Sequence, residues 1–180
     1  MSAAPPSVFL SLATPHLPAQ VTFLDQLEDV IKANGMRPRS LGRSEWSYEA
    51  PLAPIRSLMN ECSGTIVVAM TRSVMASGVD YPGGVEERTV RDRHLSTPWL
   101  QIEAAMAFQL HQPILVLRES QVEPEGVLHM ANTGISVRSY SLSASGCVPE
   151  EIVRDVVEFR VAVEKFAQRR TRPALILASQ

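Results

Sequence analysis

The chain has 180 residues, of which 45% are hydrophobic, and this is typical of one globular domain that buries a core without disulfides or metal. Its formal net charge is −2 and the charges of both signs are scattered, so we expect no nucleic-acid partner, which would require a basic stripe. No apolar run approaches the roughly 18 residues of a membrane span, and the start lacks the segments of a secretion signal. We therefore expect a cytoplasmic protein without a membrane partner.

The two cysteines, Cys62 and Cys147, lie far apart and belong to no Cys/His group with the spacing of metal ligands. The sequence therefore predicts neither a zinc site nor another metal, and no cofactor. The low cysteine content is consistent with a reducing compartment.

The first half of the chain alternates between strands and helices. After an N-terminal arm (residues 1–6), the apolar run Ser7–Leu12 predicts a buried strand that leads into a loop. A helix is predicted from Pro18 to a stop at Gly35, followed by a short strand over Met36–Leu41 and a polar and aromatic loop over Gly42–Tyr48.

Pro54–Cys62 carries apolar residues at helical spacing and stops at Gly64, where the nearly continuous apolar run Thr65–Met70 begins. A strand without polar alternation is buried on both faces, as in a parallel sheet covered by helices. Thr71–Ser96 then predicts a long, charge-rich loop. Such a loop is either functional, for example a lid, or a solvated excursion, and both interpretations remain open.

The second half continues the alternation with a helix, two strands and a long closing helix before a short tail. These elements are a helix that starts at Thr97-Pro98, a strand over Pro113–Leu117, a more exposed strand over Ile135–Tyr140, a helix over Pro149–Arg170, and a tail (171–180) in which Ala174–Leu177 forms an edge strand or a docked arm.

Five strands that alternate with helices predict a single α/β domain over residues 7–170, flavodoxin-like and doubly wound. Its parallel five-stranded sheet has the order 2-1-3-4-5, and it ends in a long C-terminal helix. Ligands of such sheets bind beyond the carboxyl ends of the strands, where the winding direction switches between strands 1 and 3. The loops after strands 1, 2 and 3 and the start of the Thr97 helix should therefore form one rim.

The helix that begins at Thr97-Pro98 places one acid in an apolar stripe. Its members, counted at spacings of three and four from Trp99, are Ile102, Glu103, Met106, Ala107 and Leu110. A buried carboxylate is costly, so Glu103 is paired with a core Arg, favoured by the helix dipole, or placed at the wall of a site. Trp99 is expected to pack in the core rather than to act as a stacking platform.

Other polar residues of the rim have two interpretations each. His16 is a general acid or phosphate ligand, or else a solvated or capping residue, while Arg91 and Arg93 either clamp a phosphate at the helix N-terminus or form a solvated charge run. The remaining histidines, at positions 94, 111 and 129, are isolated and are interpreted as incidental.

Three segments carry a family resemblance. Val8-Phe9-Leu10-Ser11, Cys62–Val68 and Ser96-Thr97-Pro98-Trp99-Leu100-Gln101-Ile102-Glu103 together resemble the group that unites nucleoside 2-deoxyribosyltransferases, nucleotide N-glycosidases of the CMP-hydrolase type and TIR domains. The last segment is similar to the Ser-Pro-Trp…Glu pattern of TIR domains. The resemblance covers residues 7 to 142.

The resemblance implies that Glu103 is the catalytic acid, either as a nucleophile at the anomeric carbon or as the residue essential for NAD cleavage. It implies sugar or phosphate contacts for Ser11, Thr14 and Arg43, and stacking on a base for Trp46 or Trp99. The transferases' Asp-x-Gly is missing ahead of Glu103, where His94–Trp99 stands, and Asp80 and Asp92 are the only nearby acids of that type. A second, proton-handling carboxylate is therefore not assigned.

Two functions of different classes follow. The first is cleavage or transfer of the N-glycosidic bond of a nucleoside, a nucleotide or NAD as the substrate, because a carboxylate captures or stabilises the oxocarbenium ion that forms at C1′. The alternative is a non-catalytic module that senses a nucleotide or associates with itself, as many TIR domains do. A homo-oligomer is compatible with both.

Overall fold

The computed structural model describes residues 4–41, 52–129 and 135–171 of the chain. In chain order its elements are β1 (Ser7–Leu12), α1 (Pro18–Ala33), β2 (Arg37–Arg39), α2 (Leu52–Glu61), β3 (Thr65–Ala69), β4 (Ser73–Asp80), β5 (Arg88–Leu95), α3 (Trp99–Gln109), β6 (Ile114–Glu119), a 3₁₀ turn (Gly126–Leu128), β7 (Ser136–Tyr140) and α4 (Glu150–Thr171).

Five of the strands form one parallel sheet in the order β2-β1-β3-β6-β7. Counting only the strands of this sheet, the order is 2-1-3-4-5, so the predicted flavodoxin-like α/β fold with a long C-terminal helix is confirmed. The carboxyl ends of β1 and β3 are adjacent, with Ser11 opposite Val67 and Leu12 opposite Val68. The winding reverses at this pair, which places the crevice expected of the fold beside the end of β1.

The sheet divides the core into two halves because alternate residues of each strand point to opposite faces. One half packs α1 and α4 against the sheet, for example through Phe23, Leu27 and Val156, and the other packs α2 and α3 through Met59 and Leu100. Since both faces are covered, the central strands need no polar alternation, and β3 is buried along its full length.

The bounds of α1 follow from local chemistry. Pro18 begins the helix, and the Gln20 side chain accepts the N–H groups of His16 and Leu17 at 3.0 and 3.3 Å, which satisfies two amide donors before the first turn. Gly35 follows the helix with φ of +71°, a left-handed conformation that glycine adopts without strain. The helix predicted from Pro18 to Gly35 is confirmed.

The loop predicted over Thr71–Ser96 is wrong, because most of it forms an antiparallel hairpin of β4 and β5 that lies outside the main sheet. Its turn contains Gly83 at φ of +75°. Across the hairpin, Asp80 accepts hydrogen bonds from Arg88 at 3.0 Å and from Arg93 at 2.8 Å. The many charges that suggested a loop therefore include cross-strand ion pairs that join the two strands.

The apolar stripe predicted on α3 is also partly wrong. Trp99 and Ile102 are 40% and 41% exposed, and the buried face consists of Leu100, Glu103, Ala104 and Ala107. Trp99 therefore does not pack in the core. The prediction failed because α3 is apolar on nearly every side, so spacing alone does not determine which stripe faces the sheet.

The predicted strand over Ala174–Leu177 and the loop that holds Arg43 and Trp46 lie outside the described residues. The domain bounds stay predictions. No helix in the described parts of the chain is long and apolar enough to cross a membrane.

Candidate active site

The candidate site centres on Glu103 and Ser11, which meet where α3 covers the end of β1. Ser11 lies two residues after Phe9, so its side chain points to the α2/α3 face of the sheet, the same face that receives Glu103. Glu103 is 9% exposed and Ser11 is 1% exposed. The carboxyl group thus lies on the second turn of a helix that enters from the rim, beside the strand pair at which the winding reverses.

Burial raises the pKa of the Glu103 carboxyl from 4.5 to about 7, and the neighbouring Ser11 hydroxyl lowers that pKa by a smaller amount. Ser11 Oγ is itself buried, and its contact with the carboxyl is too loose to count as a well-formed hydrogen bond. Among the described residues, no Arg, Lys or His forms an ion pair with Glu103. The structure therefore gives no support to the interpretation of Glu103 as half of a core salt bridge.

The end of β3 is fixed by hydrogen bonds to Thr71. Buried Gln20 donates from Nε2 to the Thr71 carbonyl at 3.1 Å, and buried Glu119 accepts the Thr71 N–H at 2.8 Å. Thr71 Oγ1 lies 3.3 Å from His94 Nδ1, which ties the base of the hairpin to the same point. The crevice thus has a rigid edge where the chain leaves the sheet.

The start of α3 is tied to the chain after β3. Arg72 donates from Nη1 to Thr97 Oγ1 at 3.3 Å, and its backbone N–H donates to the Leu95 carbonyl at 2.9 Å. Thr97 Oγ1 also accepts the Trp99 N–H at 3.4 Å, so the predicted helix start at Thr97-Pro98 is confirmed. Next to it, Ser96 Oγ is buried without a hydrogen-bond partner among the described residues.

The other predicted site residues are not all gathered at Glu103. Thr14 and His16 are exposed on the loop after β1, and the His16 N–H donates to Gln20. Asp92 is exposed on β5 with φ of +51°. Arg43 and Trp46 lie outside the described residues, so their predicted contacts stay predictions.

The two arginines that precede α3 differ in their surroundings. Arg93 forms ion pairs with Asp80, Glu123 and Glu125 at 2.8, 3.3 and 2.6 Å, and these carboxylates raise its pKa. A guanidinium held by three carboxylates has no free charge for a phosphate, which favours the structural interpretation of Arg93. Arg91 is exposed on the hairpin, opposite Ser77.

Sequence reasoning did not single out Gln20, Arg72 or Glu119, which the structure brings to the rim. Glu119 ends a buried apolar strand, and this is a signal that could have been used, because an acid at the carboxyl end of a parallel strand faces the crevice. The described residues contain no group of three or more His, Cys, Asp or Glu that could hold a metal ion.

Comparison with solved structures places this geometry on a known fold. A CMP N-glycosidase of Clostridium botulinum, BcmB, aligns with a TM-score of 0.52 at 13% identity, over 85% of this chain and 98% of that protein. The likeness establishes the fold. No protein-family model matches the sequence, and no curated protein matches it.

Two flavoproteins give lower scores. The diflavin flavoprotein A3 of a Nostoc species has a TM-score of 0.46 at 10% identity, over 94% of this chain and 97% of that one. The NAD(P)H:acceptor oxidoreductase FerB of Paracoccus denitrificans has a TM-score of 0.45 at 9% identity, over 91% and 98%. The TIR and deoxyribosyltransferase parts of the resemblance stay predictions.

Proposed function

We propose that the protein breaks the N-glycosidic bond of a nucleotide, with Glu103 as the carboxylate that acts at the anomeric carbon. The observation that carries this proposal is a buried carboxyl group, without an ion-pair partner among the described residues, at the crevice of a fold shared with a CMP N-glycosidase. Acids with pKa values shifted by burial are concentrated at functional sites.

The reaction needs an anion because the sugar becomes cationic. As the C1′–N bond breaks, its electron pair leaves with the base, and positive charge develops on C1′ and the ring oxygen. An ionised Glu103 either bonds to C1′ or stabilises this cation. Water then adds its oxygen to C1′, and where Glu103 has bonded to C1′ this step breaks the ester bond and restores the carboxylate. One proton of the water stays on the new sugar hydroxyl, and the other is taken up by the departing nucleobase. The products are therefore the free nucleobase and the sugar phosphate.

Low polarity around the carboxyl supports this role. The buried face of α3 consists otherwise of Leu100, Ala104 and Ala107, and an ionised group on such a face interacts with a nearby cation more strongly than it would in water. The Ser11 hydroxyl stabilises the ionised form, since it lowers the pKa of Glu103. The direction of this effect favours the anion that the proposed reaction needs.

The test is base release measured by chromatography after incubation with nucleoside 5′-monophosphates, the corresponding nucleosides and NAD. We expect release from at least one nucleotide, and a loss of at least about 100-fold in Glu103→Gln, since this change keeps the shape but removes the anion. Glu164→Gln on α4 serves as the control and should retain full activity, because Glu164 is on the outer side of that helix and pairs with Arg160.

Circular dichroism of both variants checks the fold. Unchanged base release in a folded Glu103→Gln protein contradicts the role of Glu103. Nucleotide binding without any release from the wild type contradicts catalysis and favours the sensing module instead. Transfer of the sugar to a second base, added in excess, would identify a transferase.

A further inference from the structure

We infer that Arg72 recognises a phosphate on the substrate, so that the site takes a phosphorylated nucleoside in preference to the nucleoside itself. This rests on the proposed function and goes further, because it assigns the residue that selects the nucleotide over the nucleoside. Arg72 lies in the short connection between β3 and β4, three residues after the carboxyl end of β3, which is the edge of the sheet where the crevice is expected.

The first argument is that the two arginines near the start of α3, Arg93 and Arg72, differ in whether carboxylates neutralise them. Arg93 is neutralised by three carboxylates. Arg72 is exposed, no carboxylate lies within ion-pair distance of it among the described residues, and its one side-chain hydrogen bond goes to a neutral hydroxyl. A guanidinium has five N–H donors, so four of them remain for a ligand, and their planar arrangement suits phosphate oxygens.

The second argument is distance. Arg72 is held to Thr97, which lies two residues before α3, and the four residues from Trp99 to Glu103 correspond to about 6 Å along the helix axis. A nucleotide carries its anomeric carbon and its 5′-phosphate at opposite ends of the ribose. With C1′ in contact with the Glu103 carboxyl, a substrate that extends toward the rim brings its phosphate to the level of Thr97 and Arg72.

The third argument concerns the immediate surroundings of Arg72. The first turn of α3 contains no acidic residue, so the positive end of the helix dipole is not cancelled there. Ser96 Oγ beside this turn has no hydrogen-bond partner among the described residues, so the protein itself does not use this donor. The nearby carboxylates of Glu123 and Glu125 are both paired with Arg93, which limits their repulsion of an anion.

Arg72 is held in place before any ligand arrives. Its backbone N–H is bonded to Leu95, and its neighbour Thr71 is bonded on both sides to buried side chains. The hydrogen bond from Nη1 to Thr97 Oγ1 restrains the guanidinium as well. A restrained side chain loses less conformational freedom on binding than a free one, so the contact discriminates more strongly between substrates with and without the phosphate.

The experiment compares kcat/KM for a nucleoside 5′-monophosphate with kcat/KM for the same nucleoside, in wild type, Arg72→Gln, Arg72→Lys and Arg91→Gln. Arg91→Gln is the matched control, because it removes an exposed arginine from the hairpin near the same helix. We expect Arg72→Gln to lower kcat/KM for the nucleotide by about 10- to 100-fold, the size of a lost hydrogen-bonded charge, and to change the value for the nucleoside by less than about twofold. Arg72→Lys should restore part of the loss.

Equal losses for both substrates in Arg72→Gln overturn the inference, as does a loss that appears in Arg91→Gln instead. NAD, whose phosphates bridge two nucleosides, is run in parallel. If Arg72→Gln lowers kcat/KM for NAD alone, the preferred anion is a diphosphate, and recognition of a monophosphate by Arg72 is refuted.

A binding measurement separates this inference from the proposed function. Calorimetry with Glu103→Gln, and with Glu103→Gln/Arg72→Gln, uses a nucleoside monophosphate and inorganic phosphate as ligands. Suppose that neither the wild type nor any variant releases base, but that the double variant binds the nucleotide at least about tenfold more weakly than Glu103→Gln does. Phosphate recognition by Arg72 then stands, while the proposed catalysis fails. Equal affinity of the two variants refutes phosphate recognition.

Discussion

Replacement of Glu103 by Gln should change the stability of the protein in a way that depends on pH. The substitution removes the acid whose pKa is raised to about 7 by burial and leaves a side chain of nearly the same size. Because Glu103 is 9% exposed, solvent screening of this effect is small. Stability therefore reports on the environment of the carboxyl group independently of any substrate.

The direction follows from proton binding. The unfolded chain releases the Glu103 proton near pH 4.5, whereas the folded protein keeps it until about pH 7. Between these values the folded state binds more protons, so the free energy of unfolding falls as the pH rises. At about 1.4 kcal/mol per pKa unit, the difference corresponds to about 3 kcal/mol of stability that is present below pH 4.5 and lost above pH 7.

Urea unfolding followed by circular dichroism at a series of pH values between 4 and 8 measures this quantity. The difference in unfolding free energy between Glu103→Gln and wild type should change by about 3 kcal/mol over the range, in favour of the variant at pH 8. Glu164→Gln, which removes an exposed acid, should keep the wild-type pH dependence. If the free energy of unfolding depends on pH in the same way in wild type and Glu103→Gln, the raised pKa of a buried Glu103 carboxyl group is refuted.

Three further predictions concern the same chemistry and its support. Base release should rise with pH along an acid limb with an apparent pKa near 7, since the proposed reaction uses the ionised form of Glu103. A pH–rate profile that falls above pH 7 would assign Glu103 as a general acid instead. Ser11→Ala should move that limb to higher pH, because it removes the hydroxyl that lowers the pKa of Glu103, and an unmoved limb would show that the hydroxyl has no influence. Gly64→Ala should lower the free energy of unfolding by about 1–3 kcal/mol, since a Cβ there would lie 2.7 Å from Val163 Cγ2 and 3.0 Å from Phe159 Cζ; urea unfolding checks this, and an unchanged midpoint would contradict the tight packing of α4 on the sheet.

The parallel sheet was predictable because its signals are strong and local. Thr65–Met70 is a continuous apolar run, and such a run has to be covered on both faces. Pro18 and Gly35 mark the two ends of α1 by their backbone requirements alone. These patterns determine the sheet order, because right-handed crossovers leave few alternatives once the five strands are identified.

The β4–β5 hairpin was missed because neither of its strands has an apolar face. Its first strand consists mainly of small and polar residues, and its two valines, Val74 and Val79, are five positions apart, so they lie on opposite faces and are each about half exposed. Periodicity detects burial, and a hairpin that is hardly buried has no periodicity to detect. Asp80 and Arg93 join the strands instead, and nothing local in the sequence shows which charge pairs with which.

The inward position of Glu103 was predicted, but Arg72 was not. Glu103 was found because a single acid among the apolar residues of α3 stands out in the sequence, although the stripe to which it was assigned is partly exposed. Arg72 is brought to Thr97 only by the β4–β5 hairpin between them, whose two ends are adjacent. A contact across 25 residues cannot be read from spacing unless the intervening hairpin is known. The same applies to Glu119, whose partner Thr71 lies two residues after the end of the neighbouring strand β3.

The burial that destabilises an ionised Glu103 in the free protein also gives the carboxyl group its reactivity in the proposed reaction. A pKa of about 7 means that the group is close to half ionised at neutral pH. When positive charge develops at C1′, the attraction between that charge and the carboxylate is large because the surroundings are poorly polarisable, and the ionised form becomes the favoured one. The free energy lost by burying the acid is thus offset in the transition state and not in the substrate complex, which is the condition for faster reaction rather than tighter binding.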